Sequence, residues 1–520
     1  MAQKNLTRSG STAILARSED KPIEHCGIVG IKSYSGHNVA RLTLEAMMAL
    51  QHRGQESFGI AVGKNRPKTM KGLVRQGLER NSSMERLRGT SAIGHLRYAT
   101  VGSGNDIGNF HPIQINHAMP FRIAHNGTMS TVELEDELKK KGVKLPTNRT
   151  DTELSGYLLA ELHKETGDWV ETFRQFSKIK NGSFCFTIQL QNGDIIAAKD
   201  ERGYMPLSYG HHAPTNSFVV VSEDHALNMI DAKKIAEIPA GHILMLGAKA
   251  PPKLYSFQTS ENLLKAIDPF QLSYFANPDS TLWGDFKVKQ TNCSGNLGAP
   301  ENYNGIQVAL GRQKLGEALF DKFGALGNLV LPAPSTGNAA AEGYSYKSGI
   351  QLSISALFKD RYAGKREFIR SEAERIRSSQ KKKIIAIKAL LEGKEIVLVD
   401  DSIVRGESTA KFVNILRKAD VKKISILSTF PPIQFPCHMG IAFPTQEELI
   451  AFRLNKGGNI EEVGPKVAKH LGIDFVGYLD PVVYSKITGI KLEDFCFACV
   501  TGDFGKLRHP PENLVRIAGT

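Results

Sequence analysis

The sequence predicts two joined domains of different class: an α+β domain built from packed sheets, then an α/β domain with a mostly parallel sheet. Its 520 residues suffice for roughly two to four domains, each able to bury its own core. From 26 to about 250 the pattern is short β-like runs broken by turns and two helical stretches. From about 300 it changes to strand–helix alternation with continuous apolar strands, the rhythm of a parallel sheet covered on both faces.

Composition is that of a globular protein, 41% hydrophobic and 23% charged with 48 Gly. No run approaches the roughly 18 apolar residues that a membrane span needs. Six cysteines are too sparse for a disulfide framework, which points to a reducing compartment and a cytoplasmic location. The formal charge of +13 raises the question of nucleic acid. Residues 359–394, however, hold 12 Lys/Arg against 5 Asp/Glu, a net +7 in 36 residues. More than half of the excess is therefore local, which suits one polyanionic ligand, and no nucleic-acid-binding module is visible.

Residues 1–25 are polar and without periodicity, a disordered leader. Ala13-Ile14-Leu15-Ala16 is too short for a secretory core. Strands follow at CGIVGI, SFGIAV, SAIGHL, FRIAHNG, SFCFTIQL, DIIAAK, SFVVVS and HILMLG, with helices at 40–52 and 151–165. Within this half Cys26 heads the first strand. A thiol nucleophile needs a base and an oxyanion hole, and CGIVGI supplies neither. If cleavage made Cys26 the first residue, its α-amino group, of pKa about 8, would be the base. Other parts are scattered: Arg53 in QHRGQES, Arg97 and Thr100 in HLRYAT, Asn126-Gly127 in AHNG, and Asp151 in TDTE. An Arg can grip a carboxylate in a fork, an Asp an ammonium, and an Asn side chain with a Gly N–H an oxyanion. That set suits an α-amino acid with a side-chain amide, glutamine.

These strings, in this order, resemble the class II glutamine amidotransferase domains of the N-terminal-nucleophile hydrolase type. The resemblance covers about 26–250 and implies an αββα sandwich. By it Cys26 is the nucleophile, Arg97, Thr100 and Asp151 hold glutamine, Asn126 and Gly127 form the oxyanion hole, and Arg53 organises the site.

Residues 251–300 are irregular and read as a connector. Beyond it NLVLPAP, QLSISALF, EIVLVDD and KKISILSTF are expected strands, with helices at NAAAEGYSYKSG and STAKFVNILRKAD between them. EIVLVDDSIVRGESTAKF is a buried strand ending in two carboxylates, a loop and a helix. Ligands of such sheets lie at the carboxyl ends of the strands. Ser402 to Ser408, with Arg405 and Gly406 between, would wrap backbone N–H groups and a helix start around an anion. Asp400 and Asp401 beside it would repel that anion unless they meet sugar hydroxyls or Mg²⁺. The surrounding VDDSIVRG resembles the signature of type I phosphoribosyltransferases, which bind phosphoribosyl pyrophosphate, in the form found in amidophosphoribosyltransferases. By that resemblance Thr336, in the turn after NLVLPAP, meets pyrophosphate and shares Mg²⁺ with Asp400 and Asp401. Lys359, heading KDRYAG, opens a flexible loop that closes over the pyrophosphate. Asp360, Glu407 and Lys365-Arg366-Glu367 depart from the usual family pattern.

Cys437 and the pair Cys496/Cys499 sit where cluster-bearing members of this family place three ligands of a [4Fe–4S] centre. At the fourth position stands Asp268, before SYFANPDS, with Cys293 as the other candidate; the alternative to a cluster is an empty site with three inert buried thiols.

Taken together the resemblance spans nearly the whole chain from 26. It implies a propeptide at 1–25, a glutaminase domain at 26–255, a connector at 256–300, a phosphoribosyltransferase domain at 301–470 and a helical, Cys-containing tail at 471–520. Ammonia released from glutamine would pass internally to phosphoribosyl pyrophosphate and form 5-phosphoribosylamine, opening purine synthesis. Purine nucleotides become candidate feedback inhibitors, and a homodimer or tetramer is expected. The alternative is a paralogue that keeps glutaminase activity and uses its second domain for ligand sensing, an idea prompted by Glu407 and Asp360. An amidotransferase making an amino sugar or asparagine is disfavoured by VDDSIVRG.

Overall fold

The computed structural model describes residues 26–97, 109–247, 251–258, 260, 263–284, 305–359, 384–441 and 445–505. The amino half carries strands β1 Gly27–Ser33, β2 Ser57–Val62, β3 Lys68–Lys71, β4 Ser91–Arg97, β5 Ile113–Ile115, β6 Phe121–Met129 and β7 Gly182–Leu190. It continues with β8 Ile195–Lys199, β9 Ser208–His212, β10 Ser217–Val221, β11 Lys233–Glu237, β12 His242–Leu246 and β13 Lys253–Ser256. They form two antiparallel sheets, ordered β11-β9-β10-β1-β4-β2-β3 and β13-β12-β8-β7-β6-β5.

The sheets lie face to face, with β1 and β4 against β6 and β7. That burial on both faces explains why these strands read as continuous apolar runs and not as alternating ones. The helix Ala40–Ala49 covers one outer face, and Thr131–Lys140, Asp151–Thr166 and Trp169–Ile179 cover the other. The result is the expected αββα sandwich. Asp151–Thr166 shows how a layer is seated. Thr150 caps it by accepting from Glu153 N at 3.1 Å, Gly167 ends it with φ +65°, and Leu154, Leu158 and Leu162 face the sheet at helical spacing.

After β14 Thr281–Leu282 and β15 Ile306–Gln307, a short antiparallel pair, come β16 Leu329–Pro332, β17 Leu357–Lys359, β18 Ile384–Ala386, β19 Glu395–Asp400, β20 Lys423–Ser428 and β21 Phe475–Tyr478. The second domain is a parallel sheet ordered β16-β19-β20-β21, with helices Val308–Phe323, Asn338–Ser348 and Glu407–Lys418 about it.

Three expectations change. QLSISALF is not a strand of this sheet: only Leu352 bridges Val330, and Leu357–Lys359 pairs antiparallel with β18. The fourth sheet strand, β21, lies beyond 470, where a tail was expected, because four residues are too few to show a period. The segment 263–284 is no loose connector either, since Asp268, Phe270, Gln271 and Leu272 are buried in the main core. Among the described residues no helix is long and apolar enough to cross a membrane.

Candidate active sites

Cys26 leads into β1 with φ +69° and is partly exposed. Arg53, wholly buried, donates from Nε to Cys26 O at 3.3 Å and from Nη1 to Gln271 Oε1 at 3.3 Å. Its main partner is Glu223, equally buried, which also accepts from Asn277 N at 2.8 Å and Ser280 Oγ at 3.1 Å. Burial alone would raise the Glu223 carboxyl, but His52 and Arg53 outweigh it and hold the group well below the usual range. Arg53 also acts electrostatically on Cys185, the β7 neighbour of Asn126. One guanidinium thus ties the nucleophile candidate to the facing sheet and to the 268–280 segment.

Asn126 is fully buried on β6, and neither of its side-chain polar atoms meets a partner among the described residues. An orphaned buried amide costs roughly 1–3 kcal/mol, which a ligand oxygen at this place would recover. Gly127 follows with φ +149°, and a Cβ there would lie 2.3 Å from Ser183 O. Gly127→Ala is therefore expected to strain the β6–β7 ladder by about 1–3 kcal/mol. Glutaminase turnover should fall roughly 100-fold, the cost of one displaced oxyanion donor, while ammonia-dependent product formation holds.

Asp151 opens its helix and accepts from Met129 N at 3.2 Å and Thr152 N at 2.7 Å, with its side chain still partly exposed. Arg97 ends β4 and donates to Asn109 O. Thr100 lies outside the described residues.

At the second site, the turn after β16 is laid against the end of β19. Ala333 N donates to Val399 O at 2.8 Å, and a Cβ on Gly337 would reach Val399 O at 2.2 Å. This close approach sets Thr336 beside the strand that ends in Asp400. Asp400, Asp401 and Ser402 are all buried, and Ser402 Oγ donates to Asp401 Oδ1 at 2.8 Å. Gly406, with φ +84°, lets the loop turn into the helix Glu407–Lys418. Ser408 is in the first turn of that helix and Glu407 is solvent-exposed. Arg405 donates to Glu448 at 2.8 Å. Lys359 ends β17 and is exposed, while residues 360–364, with Asp360, lie outside the described residues.

Cys437, Cys496, Cys499 and Asp268 line one pocket. Cys496 N donates to Ile267 O at 2.8 Å, which sets it beside Asp268, and Cys499 O accepts from Gln434 N and Phe435 N at 2.9 Å, which draws in the Cys437 segment. Burial pushes Asp268 up to about 7 against hydrogen bonds from Phe270 N and Gln271 and the charge of Arg53. Burial likewise raises the Cys437 and Cys499 thiols. No three such side chains among the described residues are grouped tightly enough to hold a single ion. A cubane makes a different demand, because each thiolate binds its own iron and the ligands stand apart. Three thiols and a carboxylate converging from three segments fit that donor chemistry. Cys293 lies outside the described residues.

Sequence reasoning passed over Glu223, Gln271, Arg312 and His125. Arg312 is buried and donates to the carbonyls of Leu272, Tyr274 and Ala276 at 2.8–2.9 Å, bracing the 268–276 segment close to Asp401. A polar residue inside an apolar run, as in FRIAHNG, was the available signal, since burial obliges it to find a partner.

The glutamine amidotransferase domain family matches residues 101–229. The chain is 34% identical to the amidophosphoribosyltransferase of Methanocaldococcus jannaschii, over 95% of this chain and 99% of that one. It is 30% identical to that of Bacillus subtilis, over 92% and 94%. A solved structure described as the allosteric regulatory enzyme of purine biosynthesis superposes with TM-score 0.76 at 28% identity, over 94% of this chain and 97% of that one. The B. subtilis glutamine phosphoribosylpyrophosphate amidotransferase, complexed with ADP and GMP, gives 0.74 at 29%, over 92% and 97%. With relatives of this identity aligned end to end, the chain belongs to the amidophosphoribosyltransferase family.

Proposed function

We propose that this family member makes 5-phosphoribosylamine from glutamine and phosphoribosyl pyrophosphate, with the work divided between two sites. The observation that carries it is the orphaned amide of Asn126 on the strand facing β1, at whose head Cys26 stands. The Cys26 thiol gives its proton to the α-amino group freed by loss of residues 1–25, and the thiolate attacks the glutamine amide carbon. Negative charge gathers on the amide oxygen, where Asn126 Nδ2 and Gly127 N–H donate to it. The C–N bond breaks, the α-ammonium returns the proton, and ammonia leaves a thioester that water hydrolyses to glutamate. Arg97, Thr100 and Asp151 grip the α-carboxylate and α-ammonium, and Arg53 holds the Cys26 carbonyl.

At the second site ammonia attacks C1 of the ribose and the bond to pyrophosphate breaks. Asp400 and Asp401 take the ribose hydroxyls, and Ser402 to Ser408, through Arg405 and Gly406, hold the 5′-phosphate. Thr336 and Lys359 serve the pyrophosphate, and Glu407 is exposed to solvent, which screens its charge. Mg²⁺ held by Thr336, Asp400 and Asp401 would offset the charge of the leaving group; buried adjacent carboxylates suit such a cation. Purine nucleotides are proposed as inhibitors, in line with the ADP and GMP bound to the B. subtilis enzyme. The named relatives favour this reading over a ligand-sensing second domain.

Incubation with glutamine, Mg²⁺ and phosphoribosyl pyrophosphate should release glutamate and pyrophosphate together. Glutaminase without pyrophosphate release would sink the reading. A [4Fe–4S] cluster on Cys437, Cys496 and Cys499, with Asp268 as fourth ligand, would tie the 263–284 segment to the tail. About four irons per chain with matching acid-labile sulfide are expected on anaerobic purification, and fewer than three would count against the cluster.

A further inference from the structure

Three buried histidines, His95, His111 and His125, adjoin the glutaminase site. His95 stands on β4 directly opposite Ile28, two residues after Cys26. Its Nε2 lies 2.9 Å from His125 O on β6. β4 and β6 belong to different sheets, so this bond is not part of a ladder and crosses the sandwich. A carbonyl only accepts, so the ring proton is on Nε2 and Nδ1 carries the lone pair. Burial pushes the ring pKa down to about 3, with the carbonyl bond opposing, so the imidazole is a neutral, fixed donor at working pH. The accepting carbonyl belongs to the peptide whose N–H is that of Asn126. The His125 ring is anchored at its far side, with Nδ1 2.9 Å from Thr152 Oγ1 and 3.7 Å from Asp151 Oδ2.

We propose that His95 is a positioning residue for the oxyanion hole: its bond across the sandwich fixes the 125–126 peptide and so the aim of Asn126 and Gly127 toward the strand that starts at Cys26. The proposal rests on the glutaminase reading above. It explains why a neutral donor with one usable proton sits in an otherwise apolar stretch of β4.

The test uses geometry that a merely structural role would not follow. A glutamine places its Nε2 where the histidine has Nε2, whereas an asparagine reaches only as far as Nδ1. H95Q should keep glutaminase kcat within about threefold, and H95N should lose about 100-fold, the effect of moving a catalytic group by about 1 Å. The KM for glutamine and the ammonia-dependent synthesis should stay within about threefold in both, which also shows that both domains remain folded. Binding of the aldehyde analogue of glutamine should weaken in H95N in step with kcat. There the thiolate adds to the carbonyl carbon, forming the C–S bond as the C=O π bond opens, so the negative charge falls on the oxygen in the hole while the Cys26 α-ammonium keeps the thiol's proton.

Equal kcat in H95N and wild type, failure of H95Q to rescue, a change confined to KM, or parallel loss of the ammonia-dependent reaction would each overturn the proposal. A wild-type protein without glutaminase activity would instead sink the reading beneath it.

Discussion

Cys26→Ala should lower glutamine-dependent synthesis and glutaminase by at least about 10⁴-fold, as expected when a covalent nucleophile is removed. Synthesis from ammonium salt should persist within about twofold, because the second site stands on a separate sheet, one face of which has its own core, from Leu329 to Tyr478. The two measurements together separate loss of chemistry from loss of fold. The same experiment bears on residues 1–25. Arg53, which donates to the Cys26 carbonyl, is a permanent cation and cannot be the base, and the proposed mechanism gives that role to the α-amino group of Cys26. Active wild-type protein should therefore begin at Cys26 on N-terminal sequencing, and active protein beginning at Met1 would refute the α-amino base.

Arg53→Leu should be strongly destabilising, at about 3 kcal/mol, because it takes the buried guanidinium from a Glu223 carboxylate with no solvent access and leaves only His52 and the hydrogen bonds from Asn277 and Ser280. The melting temperature should drop by roughly 10 °C. The pH dependence has a definite sign. In wild type Glu223 is held below its unfolded value of about 4.3, so the pair's contribution is present above that pH and is lost only as pH falls through the depressed folded value. Without Arg53 the folded pKa rises, but His52 and the hydrogen bonds from Asn277 and Ser280 still oppose burial. The variant's deficit should be largest at pH 7–8, where the carboxylate is ionised in both proteins, and shrink as pH falls through the variant's higher folded value. Arg53→Lys should rescue little, since one compact ammonium cannot span Glu223, Gln271 and the Cys26 carbonyl together. A deficit that did not vary with pH would show that lost packing, not the stranded charge, is responsible.

Much of the fold was legible because the two halves use different periods. Short apolar runs without an intervening helix called for packed antiparallel sheets, and strand–helix alternation called for a parallel one. Regularity failed as a guide where elements are short or irregular. Phe475–Tyr478 has too few residues to show a pattern, and the 263–284 segment is held by its contacts and not by a repeat. Candidate site groups could be picked out where residue type alone suggests chemistry, as with Cys26, the Asn126-Gly127 pair and Asp400-Asp401. Glu223, Gln271, Arg312 and His95 were not assigned, because their importance lies in what they meet across the sandwich or between domains.

The sequence by itself determined the class of each domain, the order of its motifs and the reactive groups, because periodicity and functional-group chemistry are local properties. Only the tertiary structure decided which groups share a site. It set Asn126 unpartnered on a strand facing β1, closed Arg53 onto Glu223, and gathered Cys437, Cys496, Cys499 and Asp268 around one pocket. Those arrangements join residues up to hundreds of positions apart. They arise because each buried polar group must find a partner wherever the packed sheets bring one within reach.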